Sequence, residues 1–475
     1  MTDRAAGLAQ SLHRTEPQLN CFAGPFAPDP GLEALLERST ALLVEWLGES
    51  AAHAPRPALT LEATVAPAAH GLDLEELFSG LRGVMAGAYR PNHPGALAHL
   101  DPPALSVSIA ADMIAAGLNN NLLAQELSPS LSRLERRLCH WLSTRVGLGA
   151  NSGGVPASGG SLSNLMALVC ARKAAGLAAD PRAVVLTGSA AHVSLSKAAA
   201  VMGLPPDGLR ALPTDANGRL QPEAVASALT QLRLEGRKPF AVVAVAGTTV
   251  QGTVDPLKAL AELCRREQLW LHVDGAIGAV CALVESERWR VDGIEQADSV
   301  TLNPQKVLGV SKPSSVLLMR QLELLHSSFA TGLPYMESGD GPQGGELGLQ
   351  GTRAAEVLKL WLSLQHLGLD GVERLLAGAF QRAERLRSLL RAPQLQLLGG
   401  DLHLVAIGLQ PHLAEHASAW RDHTHAELQQ QGFWLSRPDL NGRPLLKAVL
   451  GNPCTSDHHL EQLAAIINRS ARELS

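Results

Sequence analysis

Lys306 stands in the run Ser299-Val-Thr-Leu-Asn-Pro-Gln-Lys-Val-Leu-Gly-Val310, behind β-branched residues and among apolar neighbours. A lysine amine attacks carbonyls only when its surroundings lower its pKa, which the end of a buried strand can do. The chain has eight lysines against 32 arginines, and most lysines are solvated, so Lys306 draws its meaning from its company. The β-branched run 183–187 is followed by Gly188-Ser-Ala-Ala-His192, the run 240–246 by Gly247-Thr248-Thr249, the run 269–273 by Asp274-Gly275-Ala276, and the run 299–302 by Asn303-Pro304-Gln305-Lys306. Each exit delivers a different group: an imidazole, a hydroxyl, a carboxylate and an amine. In open α/β sheets ligands bind beyond the carboxyl ends of the strands, so the four are predicted to converge on one rim.

A fifth element precedes them. Ser158-Gly159-Gly160-Ser161-Leu162-Ser163-Asn164 is predicted to open a helix reaching about Lys173. Glycines at a helix N-terminus let backbone N–H groups face a phosphate, and the helix dipole favours its charge. The string is neither a P-loop nor a dinucleotide fingerprint, since G-x-x-x-x-G-K-[ST] and G-x-G-x-x-G are both absent. A phosphate cradle, a carboxylate at a strand end and a lysine at the next exit together describe a site for pyridoxal 5′-phosphate (PLP). Lys306 would hold the aldehyde as a Schiff base and Asp274 would keep the pyridine nitrogen protonated, making the ring an electron sink. His192 would lie on the ring face.

The elements that must position these groups follow from the pattern. Between residues 150 and 320, short β-branched runs alternate with helix-length amphipathic stretches, which predicts a mainly parallel central sheet flanked by helices. Asp255-Pro256 reads as an N-cap and first-turn proline of a helix whose apolar face is Leu257, Leu260, Leu263 and Cys264. Ala-, Leu- and Pro-rich residues 1–95, with a helical patch over 31–46, read as an N-terminal helical segment. Residues 96–368 form the large ligand-binding domain. Residues 369–475, with strands near 394–398 and 402–408 and a last helix near 456–472, form a small α+β domain. The Gly-rich stretch 339–346 reads as a mobile loop.

Composition excludes other classes. A net charge of −5 and a pI near 6.4 offer no basic field for nucleic acid or anionic lipid, and no stretch approaches the ~20 apolar residues of a membrane span. The six cysteines are scattered without metal-type spacing, so no metal is expected. A reduced, cytoplasmic protein is the reading by elimination.

The ordered strings Ser158-Gly-Gly-Ser-Leu-Ser-Asn, Ala191-His-Val-Ser-Leu-Ser-Lys-Ala, Ala246-Gly-Thr-Thr-Val-Gln-Gly-Thr-Val-Asp-Pro, Trp270-Leu-His-Val-Asp-Gly-Ala and Asn303-Pro-Gln-Lys resemble the group II PLP-dependent amino acid decarboxylases. That family includes glutamate, cysteine sulfinate, 2,4-diaminobutyrate and aromatic amino acid decarboxylases. The likeness runs from about Asn92 to Asn452. It implies the aspartate-aminotransferase fold (PLP fold type I), usually a homodimer, and release of CO₂ from an amino acid to leave the amine. Position by position, Lys306 resembles the Schiff-base lysine, Asp274 the pyridine-nitrogen partner, His192 the ring-stacking histidine, and Ala276 the small residue under the opposite face. Gly160, Ser161 and Asn303 resemble phosphate ligands, and Thr248 the residue near the ring hydroxyl and Asp274.

The chain departs from the family in places. Gln305 replaces a histidine before the lysine; it can donate to a phosphate oxygen but cannot shuttle a proton near neutral pH. The family's loop tyrosine, which protonates the substrate carbon, has one counterpart between His326 and Gln350, Tyr335, at a different offset. These departures keep two other readings open: a PLP-dependent transaminase or oxidatively deaminating aldehyde synthase, and a non-catalytic PLP-fold protein. His93, in Asn92-His-Pro94, reads as a substrate-pocket residue or as a turn residue. Arg353 reads as a partner for an anion or carboxylate, or as a solvated arginine before a helix. The segments 93–100 and 446–454 look nearest the diaminobutyrate-type members, whereas 303–310 resembles the glutamate and cysteine-sulfinate members. A small polar or charged substrate is favoured over an aromatic one.

Overall fold

The computed structural model describes residues 22–58, 65–67, 69–332, 336–337 and 341–474. The chain divides into two units, Met1–His93 and Pro94–Ser475. The first contains helices Pro30–Gly48 and Leu74–Ala86. Each starts at an aspartate: Asp29 accepts from the Leu32 N–H at 2.8 Å, and Asp73 forms a capping box with Glu76. The Trp46 indole N–H donates to the Met85 carbonyl at 2.8 Å and ties the two helices together.

The second unit is built on a seven-stranded sheet: β1 (Gly153–Ala157), β2 (Ala183–Gly188), β3 (Leu209–Leu212), β4 (Lys238–Val245), β5 (Trp270–Gly275), β6 (Ser299–Leu302) and β7 (Ser315–Met319), in the order β1-β7-β6-β5-β4-β2-β3. The pairs β2–β3, β2–β4, β4–β5 and β5–β6 are parallel; β6–β7 and β1–β7 are antiparallel. The mainly parallel sheet expected from the β-branched runs is therefore present. Those runs became β2, β4, β5, β6 and β7 because strands covered on both faces are mostly apolar, and β2, β6 and β7 are buried at every residue. Two strands escaped the pattern, and both lie at sheet edges. β1 carries two glycines and Pro156, tolerable only where no further ladder is needed, and β3 is half-exposed.

Asp255 corrects one expectation. It caps no helix: the helix Leu257–Glu267 begins after Pro256 and lacks a side-chain cap. The buried Asp255 carboxylate instead accepts from the Leu220 N–H at 2.8 Å and the Val245 N–H at 2.7 Å, stapling the end of β4 to the segment after β3. Burial pushes its pKa up to about 7, opposed by those two bonds.

The long helix Val357–Leu389, broken at Gly368 (φ 59°), leads into a small antiparallel sheet. Its strands are β8 (Leu395–Leu398), β9 (Leu404–Leu409) and, after the two-residue pair β10 (Asp439–Leu440) and β11 (Arg443–Pro444), β12 (Leu446–Val449), in the order β12-β9-β8. The helices Ala417–Gln430 and Asp457–Arg472 pack with it over a core of its own.

Candidate functional site

A parallel sheet brings all its strand exits to one edge. β1 runs in the same sense as β6, since each is antiparallel to β7, so the Gly-rich turn after β1 also opens there. A cavity of about 410 Å³ lies at this edge, and Gly160, Ser161, His192, Asp274, Ala276, Asn303, Gln305 and Lys306 all line it. The convergence read from the four exits and the turn is realised.

Asp274 is buried near the end of β5. Its Oδ2 accepts from Asn164 Nδ2 at 2.9 Å and its Oδ1 from the Ala276 N–H at 3.2 Å. Asn164, also buried, uses its whole bonding capacity: Nδ2 also donates to Ser194 Oγ at 3.0 Å, while Oδ1 accepts from Thr301 Oγ1 at 2.7 Å and faces His272 Nε2 at 3.1 Å. The network sets the His272 tautomer. Nε2 carries the proton toward Asn164, and Nδ1 accepts from Ser299 Oγ at 2.8 Å, whose oxygen takes the Trp270 indole N–H. Burial lowers the His272 pKa to about 4, against the pull of Asp274, so the ring is neutral near pH 7. A carboxylate so framed keeps a fixed orientation toward the cavity.

Lys306 follows β6 in a tight turn: its N–H donates to the Asn303 carbonyl at 3.1 Å and its own carbonyl accepts from Gly309 N–H at 3.0 Å. Burial holds the amine below its ordinary 10.5, opposed by Asp274 and Asp101. His192 Nδ1 accepts from the Ser194 N–H at 3.2 Å, so a neutral ring carries its proton on Nε2. Partial desolvation lowers its pKa, with Asp274 pulling the other way.

The helix Gly160–Ala174 has Gly159 (φ 155°) at its N-cap and no side-chain cap, so its first N–H groups are offered to the cavity. Asn303 is oriented by Ser315 Oγ, which donates to its Oδ1 at 2.6 Å, and its Nδ2 points at Gly160, where an added Cβ would come within 2.8 Å. Gln305 Oε1 accepts from the Ser314 N–H at 2.7 Å, which leaves its amide N–H groups as donors. Uncapped helix N–H groups beside two amides suit a phosphate, and an amine of lowered pKa near a carboxylate suits a pyridine aldehyde. The donor set fits PLP.

Other expected residues lie elsewhere. Thr248 is buried in the turn after β4, its hydroxyl 2.9 Å from Thr253 Oγ1, and its neighbours Gly247 and Thr249 line the cavity instead. His93 ends the first unit, its N–H donating to the Arg90 carbonyl. Tyr335 and part of the Gly-rich stretch 339–346 lie outside the described residues. Arg353 is not solvated: it is buried and bidentate to Glu135, at 2.6 and 2.9 Å.

Sequence reasoning passed over Asn164 as a site residue, although it was within a quoted motif one helical turn beyond Gly160. Lys447 was passed over too. This buried lysine on β12 has its Nζ 3.4 Å from the carbonyl of the cavity residue Thr249, and burial with the nearby Lys306 charge lowers its pKa to about 8. The signal that singled out Lys306, a lysine inside an apolar run, is also present at Leu445-Leu-Lys-Ala-Val-Leu450.

Residues 60–407 match the pyridoxal-dependent decarboxylase conserved domain. The chain is 31% identical over 419 residues to L-2,4-diaminobutyrate decarboxylase of Rhizobium meliloti (strain 1021), covering 84% of each chain. It is 35% identical over 331 residues to cysteine sulfinic acid decarboxylase of Mus musculus, covering 65% of each. The crystal structure of mouse CSAD in apo form superposes with a TM-score of 0.86 at 26% identity, over 93% of this chain and 99% of that one.

Proposed function

Since the chain belongs to the pyridoxal-dependent decarboxylase family, and so is a PLP-dependent carboxy-lyase of amino acids with the type I fold, we propose how its own residues carry that reaction and on which substrates. The family match does not favour the transaminase, aldehyde-synthase or non-catalytic readings. When bound, PLP supplies a carbonyl for the substrate amine and a ring that accepts the electron pair left as CO₂ departs. Lys306 is the lysine that holds the cofactor and is displaced by the substrate amine; its lowered pKa supports the role. Asp274 keeps the proton on the pyridine nitrogen, and Asn164 keeps Asp274 aimed. The first N–H groups of Gly160 and Ser161, with the amides of Asn303 and Gln305, receive the phosphate. His192 covers one ring face and Ala276 leaves room at the other. Thr248, through its turn, sets Gly247 and Thr249 against the cofactor. Tyr335 returns the proton to the substrate carbon, and His93 contacts the substrate.

The substrate we propose is a small amino acid with a polar or charged side chain. Two relatives named for such substrates, diaminobutyrate and cysteine sulfinic acid, support this, and so does the charge of Lys447 near Thr249, which suits a substrate carboxylate. Residues 1–95, 96–368 and 369–475 serve as N-terminal segment, cofactor domain and small domain. Exposed Leu32, Leu35, Leu36, Leu74, Leu77 and Leu81 on the two helices of the first unit support a homodimer that covers them. Among the described residues no helix is long and apolar enough to cross a membrane, which accords with the proposed cytoplasmic location.

The observation that carries the proposal is one cavity holding Lys306, Asp274 and an uncapped helix start. Release of ¹⁴CO₂ from a panel of carboxyl-labelled amino acids tests it. Small polar or charged substrates should give the highest turnover, and Lys306→Ala should lose about 10³-fold or more of it. Turnover restricted to aromatic amino acids would refute the substrate class, and full activity in Lys306→Ala the assignment of the lysine.

A further inference from the structure

Lys359, in the helix Val357–Leu389, is 1% exposed and among the largest fully buried side chains. Its Nζ lies 3.0 Å from Asp112 Oδ1 and 3.3 Å from Oδ2. Asp112 belongs to the helix Ser106–Leu118, and its Oδ2 accepts from Ser311 Oγ at 2.5 Å. Ser311 is joined to that helix three times more: its N–H donates to Ser108 Oγ at 2.7 Å, the two hydroxyl oxygens are 2.8 Å apart, and its Oγ lies 3.3 Å from the Ser108 carbonyl. With the Ser311 proton given to the carboxylate, the Ser108 hydroxyl is the donor between them, so every group in the chain is satisfied.

Ser311 lies two residues beyond the turn Lys306–Gly309. The turn is also pinned by the Leu105 N–H, which donates to the Gly309 carbonyl at 2.7 Å. Gly309, at φ +67°, passes so close that an added Cβ would lie 2.7 Å from the Pro103 carbonyl. Thus the start of one helix holds the cofactor lysine's turn, and a buried ammonium holds that helix's carboxylate. Lys359 is wholly buried while the Asp112 side chain is 39% exposed, so desolvation of the ammonium offsets much of the attraction, and an apolar side chain of equal volume would pack as well. Lys359 therefore calls for another explanation.

We infer that Lys359 is a positioning residue for Lys306, acting through Asp112 and Ser311 to fix the turn Lys306 begins. The inference rests on the proposed role of Lys306. The ammonium holds the Asp112 carboxylate in place, Asp112 holds the Ser311 hydroxyl, and Ser311 sets the direction in which the Lys306 side chain leaves its turn. Loosening any link lets the amine drift from the cofactor while leaving the substrate contacts intact.

The test uses holoenzyme carrying Lys359→Met, Lys359→Arg, Ser311→Ala, and Lys359→Met with Ser311→Ala. Two quantities are read: the rate at which hydroxylamine bleaches the visible cofactor band, and kcat and KM separately. Lys359→Met and Ser311→Ala should each bleach about tenfold faster and lose about tenfold in kcat with KM within about twofold. Lys359→Arg should recover most of both, and the double variant should be no worse than either single, because the residues act in one chain. Should Lys359→Met fail to fold, Ser311→Ala, which spares the ion pair, decides. Wild-type bleaching and kcat in Ser311→Ala would overturn the inference, as would losses that simply add in the double variant. Lys306→Ala separates the two levels: a protein that keeps its band overturns the assignment of Lys306 and the inference with it. Loss of that band beside an unchanged Ser311→Ala overturns the inference alone.

Discussion

Two buried carboxylates flank one end of the sheet and are put to different uses. Val245 of β4 sits in register with Asp274 of β5, and the same Val245 donates its N–H to Asp255. Both aspartates are about 5% exposed or less. Asp255 accepts one backbone N–H at each oxygen and so joins two segments, and it does not line the cavity that Asp274 lines. Asp274 is held mainly by the side chain of Asn164, which is itself held by Ser194, Thr301 and His272. Orientation of Asp274 is delegated to a network behind it, and its carboxylate remains available to the cavity. Burial of an acid is therefore no sign of function by itself; the kind of partner tells the two apart.

The contrast breaks most sharply at Asp274. Asp274→Asn keeps the size and most contacts of the side chain but removes the charge that would hold a proton on a bound pyridine nitrogen. Turnover should fall about 10³-fold, with unfolding midpoints close to wild type. Near-normal turnover would reduce Asp274 to a second staple like Asp255. Asn164→Ala attacks the network instead. It leaves Asp274 Oδ2, Thr301 Oγ1 and the His272 ring without their common partner in a buried place, which should cost about 2–3 kcal/mol of stability. It should also lower kcat about tenfold through a misaimed carboxylate. Chemical unfolding and steady-state kinetics on the same preparations would check both, and loss of stability alone would show that Asn164 does not orient the acid.

The same contrast explains what could be read in advance. Strand interiors were legible because β2, β4, β5, β6 and β7 are mostly apolar and β-branched, and a parallel sheet then forces their exits together; that is how Asp274, His192, Asn303 and Lys306 could be named. Edge strands β1 and β3 carried no such run. Partner choice was illegible, because it depends on residues far apart in the chain. Asp255 before a proline looked like a helix cap, yet Leu220 and Val245 claim it. Arg353 before a helix was as easily a solvated residue, yet Glu135 lies opposite. Asn164 sat inside a recognised motif, but its four bonds reach Ser194, His272, Asp274 and Thr301, which no local pattern links. Lys447 was missed because β12 went unread, although its apolar setting repeats that of Lys306.

The gentlest way to sharpen the comparison is pH. Asp255, its pKa raised by burial from 3.8 to about 7, binds a proton in the folded state that it has already lost in the unfolded one. Between about pH 4 and pH 7 the folded protein therefore binds more protons, so the Asp255 contribution falls as pH rises through that window and is level above it. The whole effect is at most on the order of 4 kcal/mol. Glu356, raised to about 7 mainly by burial, acts in the same direction and must be held constant. The measurement is urea unfolding of cofactor-free wild type and Asp255→Asn at pH 5 and pH 8. Asp255→Asn carries a fixed cost from a lost acceptor for one backbone N–H, so its absolute stability is uninformative. Its loss of stability between the two pH values should be smaller than that of wild type, because the remaining slope comes from Glu356 and other groups common to both. Equal losses would mean that the two N–H bonds outweigh burial and keep Asp255 ionised throughout, in which case only their partners distinguish the two aspartates at this sheet end.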